Sequence, residues 1–185
     1  AVVGAVADPR VRWLNLSARC GSQSGPNNAG IAAARAGLIA YLGHDDIWEP
    51  DHLARHAAVF ADERVDVVVS GAIFHLPNGL PGSSVTGLFA PDEDVRPYFF
   101  PPSSFSHRRA VVDEVGPWRM PMEIRAPVDE DLLLRAVDAG LAFRSTGVVG
   151  VHKFAAGHRY LSYVRQESDE QETMVREVAT SESRV

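Results

Sequence analysis

Leu38-Ile39-Ala40-Tyr41-Leu42-Gly43-His44-Asp45-Asp46-Ile47-Trp48-Glu49-Pro50-Asp51-His52-Leu53 is the stretch on which the reading of this chain turns. An apolar run stops at Gly43, two adjacent carboxylates follow, and then come an aromatic residue and a proline. An apolar run closed by glycine has the pattern of a buried strand. Pro50 suits the first turn of a helix, and Asp51 suits the positive end of its dipole. Acids just past the carboxyl end of a strand stand where open α/β sheets bind ligands. Two neighbouring carboxylates repel each other unless a cation or a proton lies between them. Hard divalent ions such as Mg²⁺ and Mn²⁺ take oxygen ligands and bridge protein carboxylates to substrate phosphates.

The flanks support a layered domain. Asp8-Pro9 is a turn signal, and Val11, Trp13 and Leu14 predict a short strand ending near Leu16. Gly21 to Asn28 reads as a loop, with Asn27 or Asn28 capping a helix over 29–36 that Gly37 closes. Downstream, Leu53, Ala57 and Phe60 recur at helical spacing, and Val65–Phe74 is a β-branched, apolar run that predicts a buried strand. Alternation of helix and strand argues for an α/β domain. From Pro77 to Ser104 proline and glycine dominate, which predicts a long flap without extended regular elements. A strand over 103–107 follows, then a helix over 109–115 closed by Gly116. Next come a helix over 129–139 with acids in its first turn, and short strands over 142–144 and 148–152. The chain divides into a domain over 1–160 and a polar helix or tail over 161–185, acidic from Glu167 to Glu172.

Composition narrows the function. The 185 residues suit one domain, and 45% hydrophobic content supplies a core. A formal charge of −6, with no basic cluster beyond Arg108-Arg109, argues against nucleic-acid binding. Cys20 is the single cysteine, which excludes a disulfide framework and a cysteine metal site. No apolar run reaches the roughly 20 residues that span a bilayer, and no signal peptide is recognisable. A cytoplasmic location is the expectation. Lys153 is the only lysine among otherwise arginine cations, a bias ascribed to genome composition.

Leu42-Gly43-His44-Asp45-Asp46-Ile47-Trp48 resembles the metal-binding Asp-x-Asp region of family 2 glycosyltransferases, which have the GT-A fold. Asn28-Ala29-Gly30-Ile31 through Ala36-Gly37 resembles the lead-in to that strand, with Asn27 in place of the family's arginine and Gly43 in place of its first acid. Val128-Asp129-Glu130-Asp131-Leu132 through Arg135 resembles the family's Glu-Asp-x-Asp-Leu-x-x-Arg segment, with Val128 in place of the glutamate. Between them, Ser103 to Arg109 with Glu114 to Trp118 resembles the acceptor-side stretch. The resemblance runs from about Asp8 to Arg159, in the family's order.

It implies a GT-A mixed sheet flanked by helices, lacking the N-terminal strand–helix–strand unit that carries acids for the nucleotide base and ribose. It implies transfer of a sugar from a nucleotide-diphosphate donor to a saccharide or other hydroxyl acceptor, with inversion. Asp45 and Asp46 would hold a divalent metal and the diphosphate, His152 falls near a further metal-binding histidine of some GT-A enzymes, and Asp129 falls on the catalytic aspartate. The rival expectation is a non-catalytic GT-A-like remnant that binds saccharide or a protein partner. Plainer readings compete residue by residue. Asp45-Asp46 also describes a solvated turn, and Asp129 to Asp131 an acidic first turn. His44 and His52 read as surface or loop histidines, His152 as a structural one. Trp48 and Trp118 read as packing residues, and Arg108-Arg109 as a solvated pair or a phosphate holder.

Overall fold

The structure is a computed structural model and describes residues 7–76, 83–154 and 169–182. Six strands form one mixed sheet: β1 (Leu38–Ala40), β2 (Ile47–Trp48), β3 (Val67–His75), β4 (Ser83–Thr86), β5 (Phe105–Arg108) and β6 (Phe143–Lys153). Their order is β1-β5-β3-β6-β2, with β4 also pairing β3. The β3–β6 pair is parallel, and β5 runs antiparallel to both β1 and β3. The helices are α1 (Ser24–Ala33), α2 (His52–Val59), α3 (Arg109–Val115), α4 (Val128–Asp138) and α5 (Asp169–Glu182).

Residue alternation along β3 sorts the layers, because successive side chains point to opposite faces. Val67 and Val69 join the larger core with Phe105, Trp118, Leu132, Leu133 and Ala136, so α4 and the loop after α3 cover that face. Val68 turns the other way, toward Phe60 and Val65 at the end of α2. Val67, Val68 and Val69 have no exposed surface, which fits their uninterrupted apolar run. The observed architecture is the expected mixed sheet flanked by helices.

Several local expectations change. Helix α1 begins at Ser24, inside the stretch read as a loop. Asn28 does not cap it. Its amide oxygen accepts from the Trp118 N–H at 3.0 Å, and its amide nitrogen donates to the Trp118 carbonyl at 2.8 Å, stapling α1 to the loop after α3. The predicted strand through Trp13 is an exposed irregular segment, with Trp13 68% exposed, because no neighbouring strand takes up its backbone groups. The two strands predicted over 142–144 and 148–152 are one strand, β6, whose register against β3 shifts around Gly71.

The proline-rich segment is tied down where it is described. β4 pairs with the end of β3, and Val95 and Phe100 are buried in the larger core. Residues 77–82 of the predicted flap lie outside the described residues. No helix among the described residues is long and apolar enough to cross a membrane.

Candidate functional site

Three chain segments meet at one end of the sheet for topological reasons. The chain leaves the carboxyl end of β1 into Gly43–Asp46. β5 is antiparallel to β1, so the turn that precedes it, Pro102–Ser104, lies at the same end. β6 is parallel to β3, and its carboxyl end delivers Lys153 there too.

Asp46 is the centre of this arrangement, with its side chain 1% exposed. Its Oδ2 accepts from the Ser103 hydroxyl at 2.6 Å and from the Lys153 ammonium at 3.0 Å; Lys153 also lies 3.3 Å from Oδ1. The Gly43 N–H in turn donates to Ser103 Oγ at 2.9 Å. A charge this deep needs such company, since an unpaired buried carboxylate costs several kcal/mol. Gly43 permits the close approach: a Cβ there would stand 2.8 Å from Asp46 Oδ2 and 3.3 Å from Asp45 Oδ1. Both carboxylates therefore gather round the Gly43 backbone. Asp45 is more open, with the exposed His44 ring 3.8 Å away.

Asp129 stands in the first turn of α4 and is buried. Its Oδ1 accepts from the Glu130 N–H at 3.2 Å. The helix dipole favours its ionised form, but burial weighs more. Loss of hydration pushes the Asp129 carboxyl above the usual carboxylate range, opposed by backbone N–H groups and by the positive charge of Lys153. The shift makes Asp129 a stronger base. Lys153 thus acts on Asp46 by direct contact and on Asp129 through its field.

His152 faces elsewhere. It neighbours Lys153 on β6, and alternation sends the two side chains to opposite faces. Its Nε2 is 2.8 Å from Glu49 Oε1 and its Nδ1 2.9 Å from His75 Nε2. Among the described residues, no three His, Cys, Asp or Glu side chains converge to hold a metal ion. The two carboxylates that do come together at this sheet end are Asp45 and Asp46. That pair is compatible with Mg²⁺, which is commonly held by one or two carboxylates and completed by phosphate oxygens and water.

Sequence reasoning missed the residues that hold Asp46. Lys153 carried one signal, as the only lysine in the chain. Ser103 carried none of its own, because a serine before a strand has many uses. Arg108 and Arg109 prove structural. Arg108 bonds the carbonyls of Val65, Phe60 and Asp62, and Arg109 those of Ala34 and Ala36. His52 is not a surface residue. With 1% exposure it lies under the ring of Trp48, 4.7 Å between centroids, while Leu53 is half exposed. Trp48 also donates from its indole to the Ser103 carbonyl at 2.7 Å, bracing the site's turn.

A mixed sheet with carboxylates gathered at one strand end and a further acid at a helix start is the architecture of a GT-A glycosyltransferase domain. The family described as Glycosyl transferase family 2 matches residues 3–120, more than half of the chain, and the chain belongs to that family. Succinoglycan biosynthesis protein ExoO of Rhizobium meliloti is 49% identical over 55 residues, which are 30% of this chain and 16% of that protein. Among solved structures, S. aureus TarS superposes with a TM-score of 0.56 at 18% identity, covering 75% of this chain and 42% of that one. A TarS complex with UDP-GlcNAc gives a TM-score of 0.58 at 14% identity, covering 89% of this chain and 48% of that one. The chain thus spans under half the length of these relatives.

Proposed function

We propose that this domain takes part in transferring a sugar from a nucleotide-diphosphate donor to an acceptor hydroxyl, with inversion at the anomeric carbon. The observation that carries the reading is the buried Asp46, fixed by Ser103 and Lys153 at the sheet end beside the more open Asp45. Family membership and the nucleotide-sugar complex of a structural neighbour support the same reading.

Asp45 and Asp46 are the residues that would hold a divalent ion at the donor diphosphate. That ion, when bound, offsets the charge that develops on the departing diphosphate. Gly43 and Ser103 fix the turn, so that both carboxylates are oriented before substrate arrives. Asp129 accepts the proton of the acceptor hydroxyl as its oxygen bonds the anomeric carbon and the bond to the diphosphate breaks. Its burial suits this role, because a carboxyl group whose pKa is shifted upward by lost hydration is the more basic.

The second reading, a binding domain without transfer, has Val128 in its favour. At the family's glutamate position this residue packs against the core. Calorimetric titration with Mn²⁺ and UDP tests the donor assignment. Asp45→Ala is expected to weaken binding at least about tenfold, the scale of one lost charge-assisted contact. Equal binding by both proteins removes the assignment.

A further inference from the structure

Two carboxylates gather at the turn where the donor reading puts the diphosphate, Asp45 and Asp46, and the charge of the adjoining Lys153 also reaches a third, Asp129. A diphosphate adds further negative charge, and one divalent ion does not offset all of it. Like charges at such distances are tolerated only with cations among them. Among the described residues, the cation in contact with this group is Lys153. Its side chain is four-fifths covered, its ammonium reaches both oxygens of Asp46, and its charge acts on Asp129 from the same position.

We propose that Lys153 is a phosphate-binding cation of the donor site: its ammonium neutralises Asp46 and turns its remaining N–H onto the diphosphate of the donor. The inference rests on the donor reading above and adds a ligand-binding residue to it. An ammonium carries three N–H donors. Asp46 occupies at most two of them, through Oδ2 at 3.0 Å and Oδ1 at 3.3 Å. The side chain keeps 20% exposure, so it is not sealed beneath the turn. Its place at the carboxyl end of β6 is the end of an open sheet where ligands bind.

Lysine suits the task. A compact point charge with rotatable donors can hold a carboxylate and a phosphate oxygen together, whereas an arginine fork matches one planar partner at a time. A lysine serving only as counter-ion to Asp46 would be indifferent to the number of phosphates on a bound nucleotide. That difference separates the two roles.

The test is calorimetric titration of UDP and UMP into the protein, once in EDTA and once in Mn²⁺. In EDTA the wild type is expected to bind UDP more tightly than UMP. Lys153→Met should weaken UDP about tenfold or more and leave UMP within about twofold. Lys153→Arg should recover only part of the UDP affinity, because its fork holds one planar partner at a time. Removing the lysine strands a buried carboxylate, so the comparison is repeated in EDTA between Asp46→Asn and the Asp46→Asn/Lys153→Met double variant, where no charge is left unpaired. The same selective loss of UDP is expected there. UDP and UMP weakening together, or neither changing, overturns the proposal and leaves Lys153 as a counter-ion. UDP binding that appears only with Mn²⁺ also overturns it and leaves the donor reading standing. Failure of the wild type to bind either nucleotide in either buffer overturns the donor reading and this inference with it.

Discussion

Two of the buried polar clusters among the described residues solve the problem of burial in opposite ways. At the sheet end, Asp46 stays next to a full positive charge and a hydroxyl donor. On the α2 face, His52 and His56 lie under the sheet with no carboxylate among the described residues bonded to either ring. His56 bridges Ser106 at 2.5 Å and Ser70 at 2.7 Å, while His52 packs on Trp48 and on the Gly150 backbone without a hydrogen bond of good geometry. Loss of hydration drives His52 down to about 4 and His56 to about 3, the latter also feeling His52 beside it. Both rings are therefore neutral at physiological pH. A neutral, hydrogen-bonded cluster holds layers together. A cluster that keeps its charges, beside an open carboxylate and at the ligand end of the sheet, is equipped to meet a charged substrate. Gly150 shows how tightly the neutral cluster is closed: a Cβ there would lie 2.7 Å from His52 Nδ1 and 2.9 Å from Ser70 Oγ.

The contrast is sharpest at Asp129. Asp129→Asn keeps the shape and removes the base, and should lower turnover by about 10²–10⁴-fold in a protein that transfers sugar, with donor affinity much less affected. The stability effect has a definite sign. Burial raises the folded pKa of Asp129 above its unfolded value, so the stability linked to its protonated form is present at low pH. It is lost as pH rises through the folded value. Asparagine carries no such cost, and the melting temperature at pH 7 should stay level or rise. A clear fall in melting temperature, with turnover changed only a few-fold, would make Asp129 structural.

His56→Ala is the converse experiment. It leaves the Ser70 and Ser106 hydroxyls without their partner and opens a cavity, so urea denaturation should show a loss of about 2–4 kcal/mol. Nucleotide affinity in the folded protein should be unchanged. A variant of wild-type stability with weakened nucleotide binding would reverse the assignment of the two clusters.

Acid should weaken the histidine cluster. The folded pKa values of His52 and His56 are depressed from 6.5, so their contribution is full above that value. It is lost as pH falls toward 4 and 3. Each histidine accounts for about 2 kcal/mol between pH 7 and pH 5, on the scale of 1.36 kcal/mol per pKa unit. Denaturation midpoints across that range measure it, and His56→Ala should flatten the dependence. A pH-independent midpoint would show that the rings are not held neutral.

The two clusters also differ in how far they could be read from the sequence. Asp45, Asp46 and Asp129 stand out because acids after an apolar run and acids opening a helix are local patterns. The strand at Val67–Val69, helix α3 and helix α4 were legible for the same reason. The partners of Asp46 were not legible, because Ser103 and Lys153 lie 57 and 107 residues away and only the strand order brings them in. The buried face of α2 was misread since Leu53 and Ala57 are apolar and the histidines are not. Yet His52 and His56, one turn apart, are the residues that face the sheet. Periodicity reports which side chains are apolar, and a neutral imidazole with hydroxyl partners takes an interior place that a hydropathy pattern does not predict.

The central claim is that the sheet end around Gly43, and not the α2 face, receives the donor diphosphate. Backbone amide NMR with UDP added in the presence of Mg²⁺ tests it most directly. Concentration-dependent shifts are expected at Gly43, Asp45, Asp46, Ser103 and Lys153, with His52, His56 and Ser70 still. Shifts centred on the α2 face, or a spectrum unchanged at Gly43 to Asp46 under saturating UDP, would contradict it.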